Sequence, residues 1–372
     1  MRVPEEVLLI PGPVSLSPGV RAEMGGPARA HYGEDWAERY RRLASALAGV
    51  FRTQGEVFCL FGPGTAGLEA CLASALAPGD EILVGVNGLF GERLVAIARA
   101  LGLRVHVVKA EDRRPVRPEA LERAIGEHPR ARALAMVHHE TSLGLLNPIA
   151  DLCPIASERG LLTIVDAVSS LGGVRLEMDA WKIDLCVGVS NKCLGGPIGL
   201  APVAVGPRAW EAIDDGRPKA AGWYLNLATW RRFSRQWGSW HPHPTTMPAQ
   251  ALDALAVALE EIGAVGLEAH QARLAAAGAR VREGLRELGF ELVVADRDAS
   301  PVTIAAWGLP GMDVDDYLAW LRRERRLRLG GGLGELAGRI FRVGTMGEGA
   351  RPGVVDAYLN ATAEYLERMR RR

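Results

Sequence analysis

The chain has 372 residues, of which 48% are hydrophobic and 24% are charged, a composition typical of a soluble globular protein. Its 44 Lys and Arg residues balance its 44 Asp and Glu residues, so the formal net charge is zero. Proteins that bind nucleic acids or membrane surfaces normally carry a basic excess, so neither is expected as a partner, and a small-molecule ligand is favoured.

The length exceeds what one hydrophobic core usually serves, which predicts a large domain with a smaller one attached. The N-terminal sequence MRVPEEVLLIPGP has an acidic pair and a short apolar run broken by proline, unlike a secretory signal. No apolar run approaches the roughly 20 residues that span a bilayer. The five cysteines show neither CxxC nor zinc spacing, so we expect free thiols and no metal site. We therefore predict a cytoplasmic protein.

Between residues 55 and 210, short apolar runs with β propensity alternate with stretches of helical spacing. The predicted strands are Val57–Leu60, Ile82–Val86, Val105–Val108, Ala133–His138, Leu162–Asp166, Leu185–Val189 and Val203–Gly206. The predicted helices are Gly67–Leu76, Leu89–Leu101, Glu119–Gly126 and Ile149–Arg159. Continuous apolar strands separated by helices indicate a mostly parallel sheet that is buried on both faces. Ligands of such sheets bind at the carboxyl ends of the strands.

Residues 218–248 interrupt this alternation with tryptophans and prolines. Basic and aromatic residues alternate between Trp230 and Trp237, as they do in surfaces that bind single-stranded nucleic acid. Because the net charge is zero, an ordered crossing segment or a subunit interface is the favoured interpretation.

The last third of the chain predicts a second, smaller α+β domain. Its predicted helices are Ala249–Glu261, Leu267–Leu288, Val314–Glu324 and Val354–Met369. Its predicted strands are Phe290–Val294, Val302–Ala306 and Phe341–Val343.

Residues 62–67 read Gly-Pro-Gly-Thr-Ala-Gly, a G-x-G-x-x-G pattern between a predicted strand and a predicted helix. The pattern occurs in dinucleotide-binding folds, so an NAD-dependent dehydrogenase has to be considered. Those folds also need an acidic residue about twenty positions further on, at the end of the second strand. Here Asp80 and Glu81 precede the second strand. A phosphate cradle at a helix N-terminus, or a tight turn without a ligand, remains as a simpler interpretation.

Two charged residues follow apolar strands in the layer where ligands bind. Asp166 ends the strand Leu-Leu-Thr-Ile-Val-Asp, and Lys192 follows Leu-Cys-Val-Gly-Val-Ser-Asn. Alone, Asp166 could be a helix N-cap and Lys192 a solvated loop residue. Together they match pyridoxal-phosphate (PLP) chemistry, in which a lysine forms a Schiff base and a carboxylate keeps the pyridine nitrogen protonated. With the glycine loop as a phosphate cradle, the combination indicates a PLP enzyme.

The sequence resembles the class V aminotransferases of PLP fold type I, particularly the alanine–glyoxylate and serine–glyoxylate (serine–pyruvate) group. The motifs that carry the resemblance run in order along nearly the whole chain. They are Leu9–Val14, Gly62–Ala70, Asn87–Gly91, His139–Gly144, Val165–Gly173, Ser190–Lys192, Trp223–Leu227, Thr246–Pro248, Gly330–Gly334 and Phe341–Gly344.

The resemblance implies an α/β fold in two domains. The large PLP-binding domain would span residues 15–255 and contain a mostly parallel seven-stranded sheet. The small C-terminal α+β domain would span residues 256–372, and residues 1–14 would pack near the active site. The resemblance also implies a homodimer with shared active sites.

By the same resemblance, Lys192 carries the cofactor as the internal aldimine and later moves the α-proton of the substrate. Asp166 pairs with the pyridine nitrogen. Val168 and Phe90 contact the two faces of the ring, and Thr141 contacts the region of its hydroxyl group.

The remaining implied roles concern the phosphate and the substrate. The phosphate would be held by Pro63, Gly64 and Thr65, helped by Ser190 or Asn191, and by Thr246 of the neighbouring subunit. Arg342 would bind the substrate carboxylate, for which its bidentate fork is suited.

The implied activity is ping-pong transamination from alanine or serine to glyoxylate or pyruvate. A related enzyme, pyridoxamine–pyruvate aminotransferase, shares motifs like His138–Thr141 and Asn191–Gly195 and is the alternative. Its acidic loop residue and its second arginine would fall at Pro63 and Leu333. His31–Glu34, Asn191 and His243 depart from the family pattern on the substrate side and at the subunit crossing. A cysteine desulfurase needs a cysteine on a late loop, whereas the last cysteine here is Cys193.

Overall fold

The structure is a computed structural model that describes residues 6–371. The first five residues of the predicted N-terminal segment lie outside the described residues. The strands are β1 (Val7–Leu9), β2 (Glu56–Phe61), β3 (Glu81–Val86), β4 (Arg104–Lys109), β5 (Ala131–Val137), β6 (His139–Glu140), β7 (Leu145–Leu146), β8 (Leu162–Asp166), β9 (Leu185–Val187), β10 (Leu200–Val205), β11 (Thr303–Trp307), β12 (Leu327–Gly331) and β13 (Ile340–Gly344). The α-helices are α1 (Pro18–Met24), α2 (Glu34–Phe51), α3 (Gly64–Ala75), α4 (Leu89–Ala100), α5 (Pro118–Glu127), α6 (Ile149–Glu158), α7 (Pro207–Ile213), α8 (Leu227–Gln236), α9 (Ala249–Val265), α10 (Leu267–Glu287), α11 (Val314–Arg325) and α12 (Pro352–Arg370).

The larger sheet has seven strands in the order β2-β10-β9-β8-β5-β3-β4. Strand β10 runs antiparallel to its neighbours β2 and β9, and the remaining pairs are parallel. Central strands such as β8 and β9 are buried along their whole length, because their residues are apolar on both faces. The predicted seven-stranded, mostly parallel sheet is confirmed, and its carboxyl-terminal edge carries Asp166.

A second sheet of four strands, in the order β1-β12-β13-β11, has its own hydrophobic core. Its edge strand β1 comes from the N-terminal segment and pairs in parallel with Leu327–Leu329 of β12. The chain that follows β1 leads directly to the large sheet, where the Val14 N–H donates to the Asn191 carbonyl (3.2 Å). The division at residues 255 and 256 remains a prediction, and that position falls inside α9.

The predicted strand Phe290–Val294 is wrong. This segment makes only an isolated bridge, between Leu292 and Ala306, instead of a strand. Its apolar character has another origin: Val293 and Val294 pack with Leu143 and Leu145 in a small buried cluster. Burial without a ladder gives the same apolar run in a sequence as a strand does.

The segment at residues 218–248 contains α8 and three exposed tryptophans, Trp223, Trp237 and Trp240. Trp230 of the same segment is fully buried, and its Nε1 donates to the Tyr224 carbonyl (2.8 Å). The segment is therefore ordered, as predicted, and it presents aromatic surface. All five cysteines are buried and free. Within residues 6–371, no helix combines the length and the hydropathy that crossing a membrane requires.

Candidate active site

Asp166 and Lys192 come together at the carboxyl end of the large sheet. Asp166 is buried, and its Oδ1 accepts a hydrogen bond from the Val168 N–H (2.9 Å). The partly buried Lys192 lies in the turn beyond β9, where its Nζ donates to Ser169 Oγ (2.6 Å). Each charge favours the ionised form of the other. The sequence prediction that these two residues share one site is supported by this placement.

Burial shifts the pKa values of both groups toward their neutral forms. It raises the pKa of Asp166 to about 6, although the Val168 N–H and the charge of Lys192 oppose the rise. Burial also lowers the pKa of the Lys192 amine, against the attraction of Asp166. A lysine with a lowered pKa is more often uncharged near neutral pH, and only the uncharged amine is a nucleophile or a base.

The raised pKa of Asp166 predicts that the apoprotein loses stability as the pH rises. The folded state holds this proton more tightly than the unfolded chain, whose carboxyl keeps its ordinary value of 3.8. Below that value the group costs nothing, and above pH 6 it costs about 3 kcal/mol, at about 1.4 kcal/mol per pKa unit. We expect apo Asp166→Asn to be more stable than the wild type at pH 7.5, with the difference shrinking toward pH 4. Urea unfolding at the two pH values measures it, and an unchanged difference between them would contradict the assignment.

The glycine loop presents unpaired amides at the start of α3. Helix α3 begins at Gly64 after Pro63, which provides no side-chain cap. Among the described residues, the N–H groups of Gly64 and Thr65 have no hydrogen-bond acceptor. A Cβ at Gly64 would lie 2.5 Å from Val168 Cγ2, so the loop packs directly against the segment that follows Asp166. Free amides at the N-terminus of a helix form a binding site for an anionic group such as phosphate.

An aromatic ring lies beside the lysine. Phe90 is the second residue of α4, and the centre of its ring is 5.6 Å from Lys192 Nζ. The guanidinium of Arg93, one turn further along the helix, lies 4.7 Å from the same ring centre. The aromatic residue named by the sequence motif thus belongs to the same site as Lys192.

Arg342 of β13 is a buried cation without a counter-ion in contact. Its Nε donates to the Gly331 carbonyl (2.8 Å) and its Nη1 to the Thr141 carbonyl (3.0 Å). Within residues 6–371, no carboxylate forms an ion pair with it, and its Nη2 has no hydrogen-bond partner. Burial lowers its pKa, and the charge of Glu140 opposes that shift. A buried, fixed and unpaired guanidinium fits a ligand that brings its own carboxylate.

The other residues that the sequence singled out lie apart from this cluster or are occupied. Thr246 is exposed, and no described residue forms a hydrogen bond with its side chain. The Ser190 hydroxyl donates to the Pro197 carbonyl, which leaves Asn191 as the candidate helper for an anion. His243 is buried between two partners, since its Nε2 accepts from Trp36 Nε1 and its Nδ1 then donates to the Thr245 carbonyl.

Three residues of the site were not identified from the sequence. Ser169 holds the amine of Lys192, and Glu140 receives backbone amides at the start of α4. Gly12 lies against the Lys192 side chain, so closely that a Cβ there would be 2.7 Å from Lys192 Cγ. All three residues fall inside recognised motifs, but the motifs do not indicate what these residues contact.

A separate cluster at the opposite edge of the sheet contains potential metal ligands. Glu81, His106 and His128 place three ligand atoms within 4.8 Å of one another. The two imidazole rings are stacked, with centres 3.6 Å apart and planes inclined by 14°. Each imidazole lone pair lies in the plane of its own ring, and these two planes are nearly parallel and offset, so the lone pairs do not converge on one ion unless a ring rotates. Arg130 also donates to Glu81 (2.9 Å), which favours a plain surface ion pair.

The acidic residues that would support a dinucleotide site lie at the wrong end of β3. Asp80 and Glu81 are at its amino end, and Asp80 pairs with Arg217 (2.8 Å). The strand itself ends in Val86, so the position from which a dinucleotide-binding fold presents its ribose-binding carboxylate is apolar here. The loop therefore fits a phosphate better than a dinucleotide.

Comparisons with known proteins agree with this arrangement. The model of the family "Aminotransferase class-V" matches residues 29–332. Alanine–glyoxylate aminotransferase of Drosophila melanogaster is 30% identical over 368 residues, which are 98% of this chain and 93% of that protein. Pyridoxamine–pyruvate transaminase of Mesorhizobium japonicum is 30% identical over 370 residues, 97% of this chain and 92% of that protein. The crystal structure of alanine–glyoxylate aminotransferase from Nostoc sp. has a TM-score of 0.94 at 34% identity, covering 98% of this chain and 96% of that one.

The fold and the site together define an enzyme that works with pyridoxal phosphate. The chain belongs to the class V aminotransferase family. It is a PLP-dependent aminotransferase, and the fold class, the family and the cofactor predicted from the sequence are confirmed.

Proposed function

We propose that the enzyme transfers an amino group from alanine or serine to glyoxylate or pyruvate, binding the two substrates in turn at one site. The observation that carries the proposal is Arg342, a buried guanidinium that forms no ion pair with any carboxylate of residues 6–371. Amino acids and 2-oxo acids both bring a carboxylate, so one arginine can serve both half-reactions. The relatives named alanine–glyoxylate aminotransferases support the choice of small substrates.

The residues present fit the cofactor. The unpaired amides of Gly64 and Thr65, which follow Pro63, suit its phosphate, and we assign Asn191 as their helper. The buried carboxylate of Asp166 suits a protonated pyridine nitrogen, because a buried charge needs an opposite one. Val168 and Phe90 would contact the ring faces, and Thr141 the ring hydroxyl. When bound, PLP supplies an electron sink for the charge that develops on the substrate Cα.

Lys192 would hold the cofactor covalently and act as the base and acid of the reaction. Its lowered pKa favours the uncharged amine, which is the form that can take the proton from the substrate Cα and later return it. Ser169 Oγ is placed to hold that amine whenever it is free. The carbonyl of Ser169 is itself fixed, since it receives His139 Nδ1 (3.0 Å) and Cys193 Sγ (3.4 Å).

The space around Arg342 supports a small substrate. A Cβ at Gly330 would lie 3.4 Å from Arg342 Nη2 and 3.2 Å from Pro11 Cδ. A side chain at Gly330 would therefore crowd the guanidinium. A short side chain on the substrate suits such a site.

A homodimer with shared active sites is part of the proposal. The exposed Thr246 side chain has no hydrogen-bond partner among residues 6–371, as a residue that binds the neighbouring subunit's phosphate would require. His243 cannot share that task, because both of its nitrogens are engaged and burial lowers its pKa to about 4. Sedimentation at low protein concentration should give about twice the chain mass of 40.0 kDa; a monomer with full activity would refute the shared site.

The visible absorbance of the PLP-loaded enzyme tests the substrates. Alanine or serine should remove the cofactor band, and glyoxylate or pyruvate should restore it. A band that neither amino acid changes would refute the proposed donors. Pyridoxamine with pyruvate is the second titration, because one relative is named for that reaction. Leu333 and Pro63 stand where that enzyme would have charged residues. We therefore expect no conversion of pyridoxamine to pyridoxal and no formation of alanine from pyruvate in this titration.

A further inference from the structure

Glu140 is a fully buried carboxylate that, among the described residues, forms no hydrogen bond or ion pair with the side chains of Lys192, Asp166 or Arg342. Its Oε2 accepts from the N–H groups of Phe90 (2.9 Å) and Gly91 (3.2 Å). Its Oε1 accepts from the N–H (3.1 Å) and the hydroxyl (2.5 Å) of Ser142. Burial raises the pKa of Glu140, and the hydrogen bonds from Ser142, Gly91 and Phe90 oppose that rise by favouring the ionised carboxylate. These bonds join the start of α4 to the turn after β6.

The carboxylate replaces the missing cap of α4. The N-cap residue is Gly88, which has no side chain to cap the helix. Glu140 receives two of the unpaired amides, and Ser142 Oγ accepts a third, from Leu89 (3.3 Å). A negative charge at a helix N-terminus is also favoured by the helix dipole. The position of Phe90 is therefore set by a side chain fifty residues away in sequence.

The packing allows little freedom at this junction. A Cβ at Gly88 would lie 2.5 Å from Glu140 Cγ and 2.7 Å from Ser142 Oγ. The backbone of Gly88 is extended, with φ of −179°, so glycine is needed here for space and not for its conformation. The Glu140 side chain thus packs directly against the main chain of Gly88, two residues before Phe90.

Glu140 also connects to the substrate side. The next residue, Thr141, offers the carbonyl that fixes Arg342 Nη1 (3.0 Å). Burial lowers the pKa of both Arg342 and Lys192, and the charge of Glu140 opposes that fall in each without forming an ion pair to either. Arg342 is therefore compensated at a distance, while its Nη2 stays free for a ligand.

We propose that Glu140 is a positioning residue that couples the ring contact of Phe90 to the carboxylate contact of Arg342. It fixes Phe90 through the start of α4 and fixes Arg342 through the turn at Thr141. The proposal rests on the proposed roles of Phe90 and Arg342. It adds a third buried group, the Glu140 carboxylate, to Asp166 and Lys192, which the sequence indicated.

The test is Glu140→Gln, an isosteric change. The NH₂ group of the glutamine must face N–H or O–H donors on one side, so hydrogen bonds are lost there. We expect the apparent Kd for PLP to rise about 10- to 100-fold, as for loss of hydrogen bonds to a charged group. The circular dichroism of the bound cofactor should change, because the ring contact shifts. The KM for the amino acid should rise more than kcat falls.

Asp184→Asn is the matched control. Asp184 is also buried and accepts from Thr163 N (2.9 Å) and Thr163 Oγ1 (3.1 Å), but it lies at the opposite end of the sheet. This variant should lose thermal stability and keep its PLP affinity within about twofold. A Glu140→Gln protein that behaves like Asp184→Asn, less stable but unchanged in Kd and dichroism, would show a purely structural role and overturn the proposal.

Two milder variants keep the proposal testable if Glu140→Gln does not fold. Ser142→Ala removes one hydrogen bond to Glu140 and the acceptor for the Leu89 N–H, so PLP affinity should fall about 3- to 10-fold. Glu140→Asp keeps the negative charge, but its shorter side chain no longer reaches the amides at the start of α4. The KM for the amino acid should therefore change less than the affinity for PLP. Unchanged PLP affinity in both variants would also overturn the proposal. A different outcome would contradict the proposed function. In that case the wild-type protein binds PLP, and Arg342→Ala has the same KM for the amino acid as the wild type.

Discussion

Replacing Lys192 by alanine should reduce turnover by about 10⁴-fold or more and abolish the visible band that arises when the lysine is bonded to the cofactor. The change removes both the covalent attachment and the group proposed to move the α-proton. The fold should survive, because the amine makes a single side-chain hydrogen bond, to Ser169 Oγ. Stopped-flow and steady-state assays with alanine and glyoxylate, together with the absorbance spectrum, measure the effect.

Lys219→Ala is the matched control for Lys192. Its amine is also largely buried and donates to the carbonyls of Ala75 (3.2 Å) and Ala212 (2.8 Å), but it pairs with Asp215 and not with Asp166. It should leave the spectrum unchanged. Added methylamine should restore part of the turnover of Lys192→Ala, since a free amine can carry the missing proton. Retention of more than a tenth of the activity by Lys192→Ala would contradict the assignment.

The large sheet could be predicted because its strands are continuous apolar runs. In β8 and β9 each residue is buried, so the sequence shows no alternation and the strand limits are sharp. Strand β12 was missed for the opposite reason. It reads Leu-Arg-Leu-Gly-Gly, with an exposed Arg328 and glycines that a strand rarely contains. Its place depends on pairing with β1 and β13, which are distant in sequence.

The residues of the candidate site also fall into two groups, those that a local sequence pattern predicts and those that depend on distant contacts. Asp166 could be predicted because it is a charged residue at the end of a buried strand, and Lys192 because it follows one. The roles of Glu140 and Ser169 are defined by partners 50 and 23 residues away, which no local pattern reports. Arg342 is identified by motif alone. Its orientation depends on a hydrogen bond to the carbonyl of Thr141, 201 residues away. Such contacts are set by tertiary packing and not by local propensity.

Arg342→Ala should lower kcat/KM for the amino acid by roughly 10²- to 10³-fold, the effect of removing one partner of a buried charge pair. The guanidinium is held by two backbone carbonyls and offers its remaining nitrogen to a ligand. Without it, the substrate carboxylate would be buried unpaired, so the loss should appear mainly in KM. Each half-reaction should be affected, because donor and acceptor both carry the carboxylate. Single-turnover titration with alanine and with glyoxylate measures the two halves separately.

Arg282→Ala is the control, because Arg282 is another half-buried guanidinium that donates to a backbone carbonyl, of Ser300 (3.0 Å), away from the site. It should leave both half-reactions unchanged. Arg342→Lys keeps the charge and loses the planar fork, so it should recover only part of the affinity. If Arg342→Ala leaves the alanine half-reaction unchanged while PLP still binds, the carboxylate contact lies elsewhere. The apoprotein should lose little stability in Arg342→Ala, because the change removes a buried cation that has no counter-ion in contact. The variant should therefore fold and bind PLP but not react with alanine. That result would show that the defect lies in substrate binding and not in cofactor binding.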